Sequence, residues 1–174
     1  MKERLKELLK ERAIRKGTFK LSSGGTSDFY VDGKQVTLHP EGAYLTAKLI
    51  WEKIKDLKAD AIGGLTLGAD PIAAAVALIS KDEPKPIVGF IVRKETKGHG
   101  LQRDIEGLIR PGLKVVIIDD VITKGTSTLK AIEAVKKMAC KVVKVVCLLD
   151  REEGAAETLK GYDFDPLFKR SDFG

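Results

Sequence analysis

The chain has 174 residues, 43% of them apolar and 32% charged, which is the profile of one globular domain rather than a disordered or fibrous chain. Its net charge is only +6, with Lys and Arg spread along the chain, which weakens the case for a dedicated nucleic-acid binder and leaves a preference for anionic small molecules open. Cys140 and Cys147 have no partner pair and no histidine at ligand spacing, which argues against a disulfide framework or a zinc site and for reduced core cysteines in a cytoplasmic protein.

The first residues, MKERLKELLKERAIRKG, set Leu5, Leu8, Leu9 and Ala13 at helical spacing among Lys and Glu, predicting an amphipathic helix over 2–14. Its charges exclude a signal peptide, and no segment reaches the roughly 20 apolar residues of a membrane span. Its leucines are candidates for an interface. The stretch GTFKLSSGGTSDFYVDGKQVTLHPEG mixes β-branched and aromatic residues with Ser, Gly and Asp, as short strands or extended loops do. His39, followed by Pro40, reads as a structural turn residue, and a helix follows over 41–57.

An α/β rhythm then sets in. Strands are expected over 59–65, 86–93, 113–120 and 142–150, the last of these closing the sheet, with helices over 69–80 and 126–138. The strands are nearly continuous apolar runs, the mark of a mostly parallel sheet covered by helices on both faces. Between Glu95 and Gly112 the sequence is polar and Gly-rich, predicting a long functional loop or a mobile hairpin.

The chemistry concentrates in Val115 to Ser127, VVIIDDVITKGTS. An apolar strand ends in Asp119 and Asp120, and a Thr, Gly and Ser turn opens a helix. Ligands of open α/β sheets gather at this end of the strands. Backbone N–H groups of Lys124, Gly125, Thr126 and Ser127 would favour a phosphate, with hydroxyls of Thr123, Thr126 and Ser127 adding donors. The two acids would repel that phosphate and suit the hydroxyls of a sugar beside it. An ordinary strand with a solvated acidic end and a helix cap fits the bare pattern too. Neither GxxxxGK[ST] nor GxGxxG occurs.

These residues carry a resemblance. VVIIDDVITKGTS is similar to the phosphoribosyl diphosphate (PRPP) motif of type I phosphoribosyltransferases. GTFKLSSGGTSDFYVD, RKETKGHG with the following IEG, and LLDREEGA resemble segments of the orotate phosphoribosyltransferase family, in that family's order. The resemblance implies a type I phosphoribosyltransferase fold in one domain over 1–174, a mostly parallel central sheet flanked by helices. It also implies an N-terminal hood over about 1–40 and a flexible catalytic loop over about 94–110.

As a reaction it implies transfer of ribose 5-phosphate from PRPP to orotate in pyrimidine synthesis. Magnesium would be held mainly by substrate, and a homodimer would share its loops, with no nucleic acid and no membrane involved. The implied PRPP residues are Arg93, Lys94, Lys97 and His99 on the loop, then Asp119, Asp120, Val121, Ile122, Thr123, Lys124, Gly125, Thr126 and Ser127. Of these Lys97, His99, Asp119 and Asp120 are catalytic, and Glu106 and Gly107 also follow the family pattern. For orotate the implied residues are Thr123, Arg151, Phe29 and Tyr30. As a lone residue Arg151 would pair with Asp150 or Glu152 at the surface, and isolated aromatics such as Phe29 would more often be core. Two family lysines are replaced by Ser22 and, in the turn GGLTLGADP, by Asp70; Lys20 is the candidate substitute. The competing readings are transfer to another base, such as a purine, and a non-catalytic PRPP sensor.

Overall fold

The computed structural model describes residues 1–20, 26–94 and 104–174. The first helix forms as α1 (Lys2–Leu8) and continues as one π-helical turn over Leu9–Ala13. Leu5, Leu8, Leu9 and Ala13 are all buried in the protein's own core, so they are not a free interface stripe. The mixed segment becomes an antiparallel hairpin of β1 (Ile14–Lys20) and β2 (Thr26–Val31), with Ile14 opposite Val31. A short α2 (Lys34–Thr37) leads to α3 (Pro40–Ile54). His39 caps α3, its Nδ1 accepting the Gly42 N–H at 3.4 Å, and Pro40 follows where a missing N–H costs nothing. That is the structural role its sequence context implied.

The remaining elements are β3 (Ala61–Leu65), α4 (Ala69–Ile79), β4 (Val88–Val92), β5 (Ile105–Gly107), β6 (Lys114–Ile122), α5 (Thr126–Lys137), β7 (Lys141–Asp150), α6 (Ala155–Thr158) and β8 (Phe164–Lys169). The strands make one sheet in the order β5-β4-β3-β6-β7-β8, parallel except for β5. Strand alternation divides the core into two layers. Val116, Ile118, Val146 and Leu148 pack with α1, α3 and α4, whereas Val115, Ile117, Val145 and Cys147 pack with α5 and α6.

Two elements depart from the expected series. β7 is not the last strand, because FDPLFK adds β8 at the sheet edge. Pro166 and Asp165 argue against a strand in isolation, but an edge tolerates a residue without an N–H. Lys144, 9% exposed, secures this edge through Asp163 at 2.7 Å and Asp165 at 3.5 Å, and Lys53 reaches Asp165 at 2.6 Å. The polar 95–112 stretch is in part a hairpin arm, since β5 pairs antiparallel with β4; residues 95–103 lie outside the described residues. Among the described residues no helix is long and apolar enough to cross a membrane.

Topology locates the crevice. After β3 the chain moves through α4 to β4 on one side, and after β6 it moves through α5 to β7 on the other. The carboxyl ends of β3 and β6 are therefore adjacent strand ends whose connections diverge, the position where open α/β sheets bind ligands.

Candidate active site

β6 runs two residues beyond the expected end, to Ile122, so both acids sit inside its last turn of strand and are buried, Asp119 to 9% and Asp120 to 6% exposure. Each carboxylate folds back on the main chain. Asp119 Oδ1 accepts the Asp120 N–H at 2.9 Å, and Asp120 Oδ1 accepts the Val121 N–H at 2.9 Å. In the turn after β3, Gly68 closes against them; a Cβ there would overlap carboxylate oxygens of both and displace them. The Thr66–Leu67 peptide before it is cis.

Between these elements lies a cleft of about 250 Å³ lined by Lys34, Thr66, Lys94, Asp119, Asp120 and Ser127, among others. Burial, the adjacent Asp120 charge and a side-chain hydrogen bond with Asp120 push the Asp119 carboxyl up to about 8. Lys34 supplies the opposing charge, its Nζ 3.3 Å from Asp120 Oδ2. Its burial alone would lower the ammonium's pKa, but Asp120 and Asp32 outweigh that and raise it.

Downstream, Gly125 turns the chain with φ +80° into α5. No side chain caps this helix and its first turn holds no acid, so its exposed N-terminal residues Thr126 and Ser127 present backbone donors to an anion. Thr123 and Val121 are half-buried at the same strand end, Ile122 is buried beneath them, and Lys124 is exposed.

Arg93 and Lys94 leave the end of β4 and line an adjoining cleft of about 570 Å³ with Thr66, Asp70, Ile91 and Glu106; Lys94 borders both clefts. Arg93 Nε donates to Glu106 Oε1 at 2.9 Å. Asp70, where the resemblance led us to expect a lysine, stands at the start of α4. It accepts the Thr66 hydroxyl at 2.7 Å from the first turn of α4, where a negative charge suits the helix dipole. Its Oδ1 is buried with no hydrogen-bond partner among the described residues. Ser22, Lys97 and His99 lie outside the described residues, as does the Lys20 side chain.

The third group joins the hairpin to the end of β7. Arg151, 8% exposed, donates its backbone N–H to Ile122 O at 2.9 Å, which places it beside the Thr123 turn. Its Nη2 donates to the Phe29 carbonyl at 3.0 Å and pairs with Glu153 at 2.7 Å, a partner the sequence did not single out. Phe29 is buried, and the Arg170 guanidinium sits 5.3 Å over its ring while pairing with Asp28 at 2.7 Å. Tyr30 does not join this group. Strand alternation turns it to the opposite side, 45% exposed, with the Phe19 ring at 5.4 Å. Arg170 had no local signal, because its position depends on β8. Lys34 had one: a cation two residues beyond Asp32 in an otherwise anionic and neutral segment.

A phosphoribosyl transferase domain model matches residues 32–166. The orotate phosphoribosyltransferase of Aquifex aeolicus (strain VF5) is 47% identical over 176 aligned residues, covering 98% of this chain and 96% of that protein. The solved orotate phosphoribosyltransferase of Mycobacterium tuberculosis H37Rv, in complex with Fe(III) dicitrate, superposes with a TM-score of 0.86 at 38% identity and covers 99% of this chain and 98% of its own. The same organism's enzyme in complex with 5-phospho-alpha-D-ribosyl 1-diphosphate matches with a TM-score of 0.80 at 32% identity, over 99% and 91% of the two chains. With the acid pair, the uncapped helix start and the crevice all in one fold, the chain belongs to the phosphoribosyl transferase family, in its orotate phosphoribosyltransferase branch.

Proposed function

We propose that the protein transfers the ribose 5-phosphate group of PRPP to orotate, giving orotidine 5′-monophosphate and diphosphate in pyrimidine nucleotide synthesis. The observation that carries this reading is the buried Asp119–Asp120 pair directly ahead of the uncapped α5 N-terminus. A phosphate docks at Thr123 to Ser127, Lys124 included, where backbone N–H groups and the helix dipole meet it. The acids line the same cleft as Ser127 and accept the ribose hydroxyls. A ring N–H of orotate loses its proton to water or to the departing diphosphate as the nitrogen bonds to the anomeric carbon and the bond to diphosphate breaks, with inversion, and carboxylates fixed beside the ring stabilise the positive charge that develops on it.

Diphosphate gains charge as it leaves. Arg93, Lys94, Lys97 and His99 engage it across a homodimer, the loop of one subunit closing on the site of the other. Residues of about 1–40 act as a hood over the base and those of about 94–110 as the catalytic loop. Phe29 and Thr123 wall the base site, with Arg151 on the orotate carboxylate; Tyr30 serves only by supporting the hairpin from its outer face.

Magnesium fits this donor set as an ion carried by substrate. A hard ion keeps its waters and takes few protein ligands, so substrate oxygens would hold it, with Asp119 and Asp120 the carboxylates lining the cleft. Its chemistry there is to offset diphosphate charge. The free, buried Cys140 and Cys147 support a reducing, cytoplasmic setting.

The test is depletion of orotate, followed by ultraviolet absorbance with PRPP and magnesium, beside adenine, hypoxanthine and uracil. Orotate alone should be consumed. Turnover with a purine instead, or PRPP binding with no turnover of any base, would overturn the reading in favour of a different transferase or a PRPP sensor. Replacing Lys97 with Ala should lower kcat by about 100-fold and leave orotate binding nearly unchanged; undiminished turnover removes the loop from the mechanism.

A further inference from the structure

Lys34 lies in the hood, 86 residues from the acid pair, yet its ammonium enters the cleft between them and the Thr66–Gly68 turn. It is anchored from behind. Asp32 Oδ1 is 3.2 Å from Lys34 Nζ and also accepts the Lys34 N–H at 3.2 Å, while Gln35 donates to Asp32 Oδ2 at 3.2 Å. The backbone ahead of it is pressed onto the acid, since a Cβ at Gly33 would stand 2.9 Å from Asp120 Oδ2. Asp120 is thereby held on both oxygens, Oδ1 by the Val121 N–H and Oδ2 by Lys34.

With no cation beside it the buried Asp120 carboxylate would turn toward water, and a polyanionic substrate would meet its uncompensated charge. A single ammonium on Asp120 prevents both. We propose that Lys34 is a positioning residue for PRPP: anchored on Asp32, it fixes the Asp120 carboxylate in the orientation that receives a ribose hydroxyl. The inference rests on the assignment of this cleft to PRPP made above.

Titration calorimetry with PRPP and magnesium, in the absence of any base, tests it on the full protein. Lys34→Met should weaken PRPP binding by about tenfold, the loss of one charge-assisted contact. The KM for orotate should stay within about twofold and Lys34→Arg should restore binding to within about threefold. Because Lys34 acts through Asp120, Lys34→Met placed on Asp120→Asn should add less than about twofold to the loss from Asp120→Asn alone. Asp32→Asn, which removes only the anchor, should weaken PRPP by about threefold and serves as the second variant if Lys34→Met does not fold. Unchanged PRPP affinity in Lys34→Met, equal losses for PRPP and orotate, or multiplying effects of Lys34→Met and Asp120→Asn would overturn the assignment. If the parent protein binds PRPP but leaves orotate unconsumed, the base assignment fails and the affinity comparison still decides Lys34. A parent protein that binds no PRPP overturns both.

Discussion

Asp119→Asn is expected to make the ligand-free protein more stable and nearly inactive. The Asp119 carboxyl is pushed from 3.8 to about 8 by burial and by Asp120, so the folded protein holds a proton there that the unfolded chain releases above pH 4. Between about pH 4 and 8 the native state binds more protons than the unfolded one, and stability falls as pH rises through that window; above 8 the whole penalty is present. Asn cannot ionise, and its side-chain oxygen can still accept the Asp120 N–H that Asp119 now accepts at 2.9 Å. Relaxation around the buried charge absorbs part of the penalty, which leaves a gain of about 1–2 kcal/mol, or ~3–6 °C in Tm. Thermal denaturation at pH 4 and pH 9 checks this: the variant should match the parent at pH 4 and exceed it at pH 9.

Above about pH 8, where Asp119 is ionised, the same substitution removes a negative charge from beside the ribose ring, where positive charge grows during transfer. Turnover should fall by about 10²–10³-fold, the usual cost of one fixed electrostatic partner. A rise in Tm together with this loss would place Asp119 among residues kept for function at the expense of stability. A variant no more stable than the parent at pH 9 would mean that the Asp119 carboxylate is solvated in the free protein and carries no burial penalty.

Legibility in the sequence followed sequence distance. The run VVIIDDVITKGTS carries its strand, acids, turn and helix start within 13 residues, and all of it formed as read except that the strand reached Ile122. β8 was missed because Pro166 is a local argument against a strand and only the edge position, a property of the whole sheet, removes that objection. Phe29 and Tyr30 were read as a pair, and β2, with its period of two, sets them on opposite faces, Phe29 buried and Tyr30 exposed. Asp70 looked like a lost cation, but its partner Thr66 lies within the same turn and gives it a conformational role. The contacts of Lys34 with Asp120 and of Arg151 with Phe29 join residues 86 and 122 positions apart, and no local pattern specifies them.

The second large effect is expected at Arg151. Its guanidinium is nearly buried and already oriented by the Phe29 carbonyl and by Glu153, so little rotamer freedom remains to be lost when a planar carboxylate arrives. That carboxylate competes with Glu153 for the cation, and a base without one has nothing to offer in exchange. Arg151→Met should therefore raise the KM for orotate by about 100-fold, a loss of ~2.7 kcal/mol, while PRPP affinity measured without base changes by less than about threefold. Arg151→Lys keeps the charge but not the fork that matches a carboxylate, and should recover only part of the loss. Discrimination between orotate and uracil as competing bases gives the sharper reading, because it should shrink in Arg151→Met through weaker orotate rather than stronger uracil. Equal losses for orotate and PRPP would instead mean that Arg151 holds the hairpin on the end of β7 and that the carboxylate is recognised elsewhere.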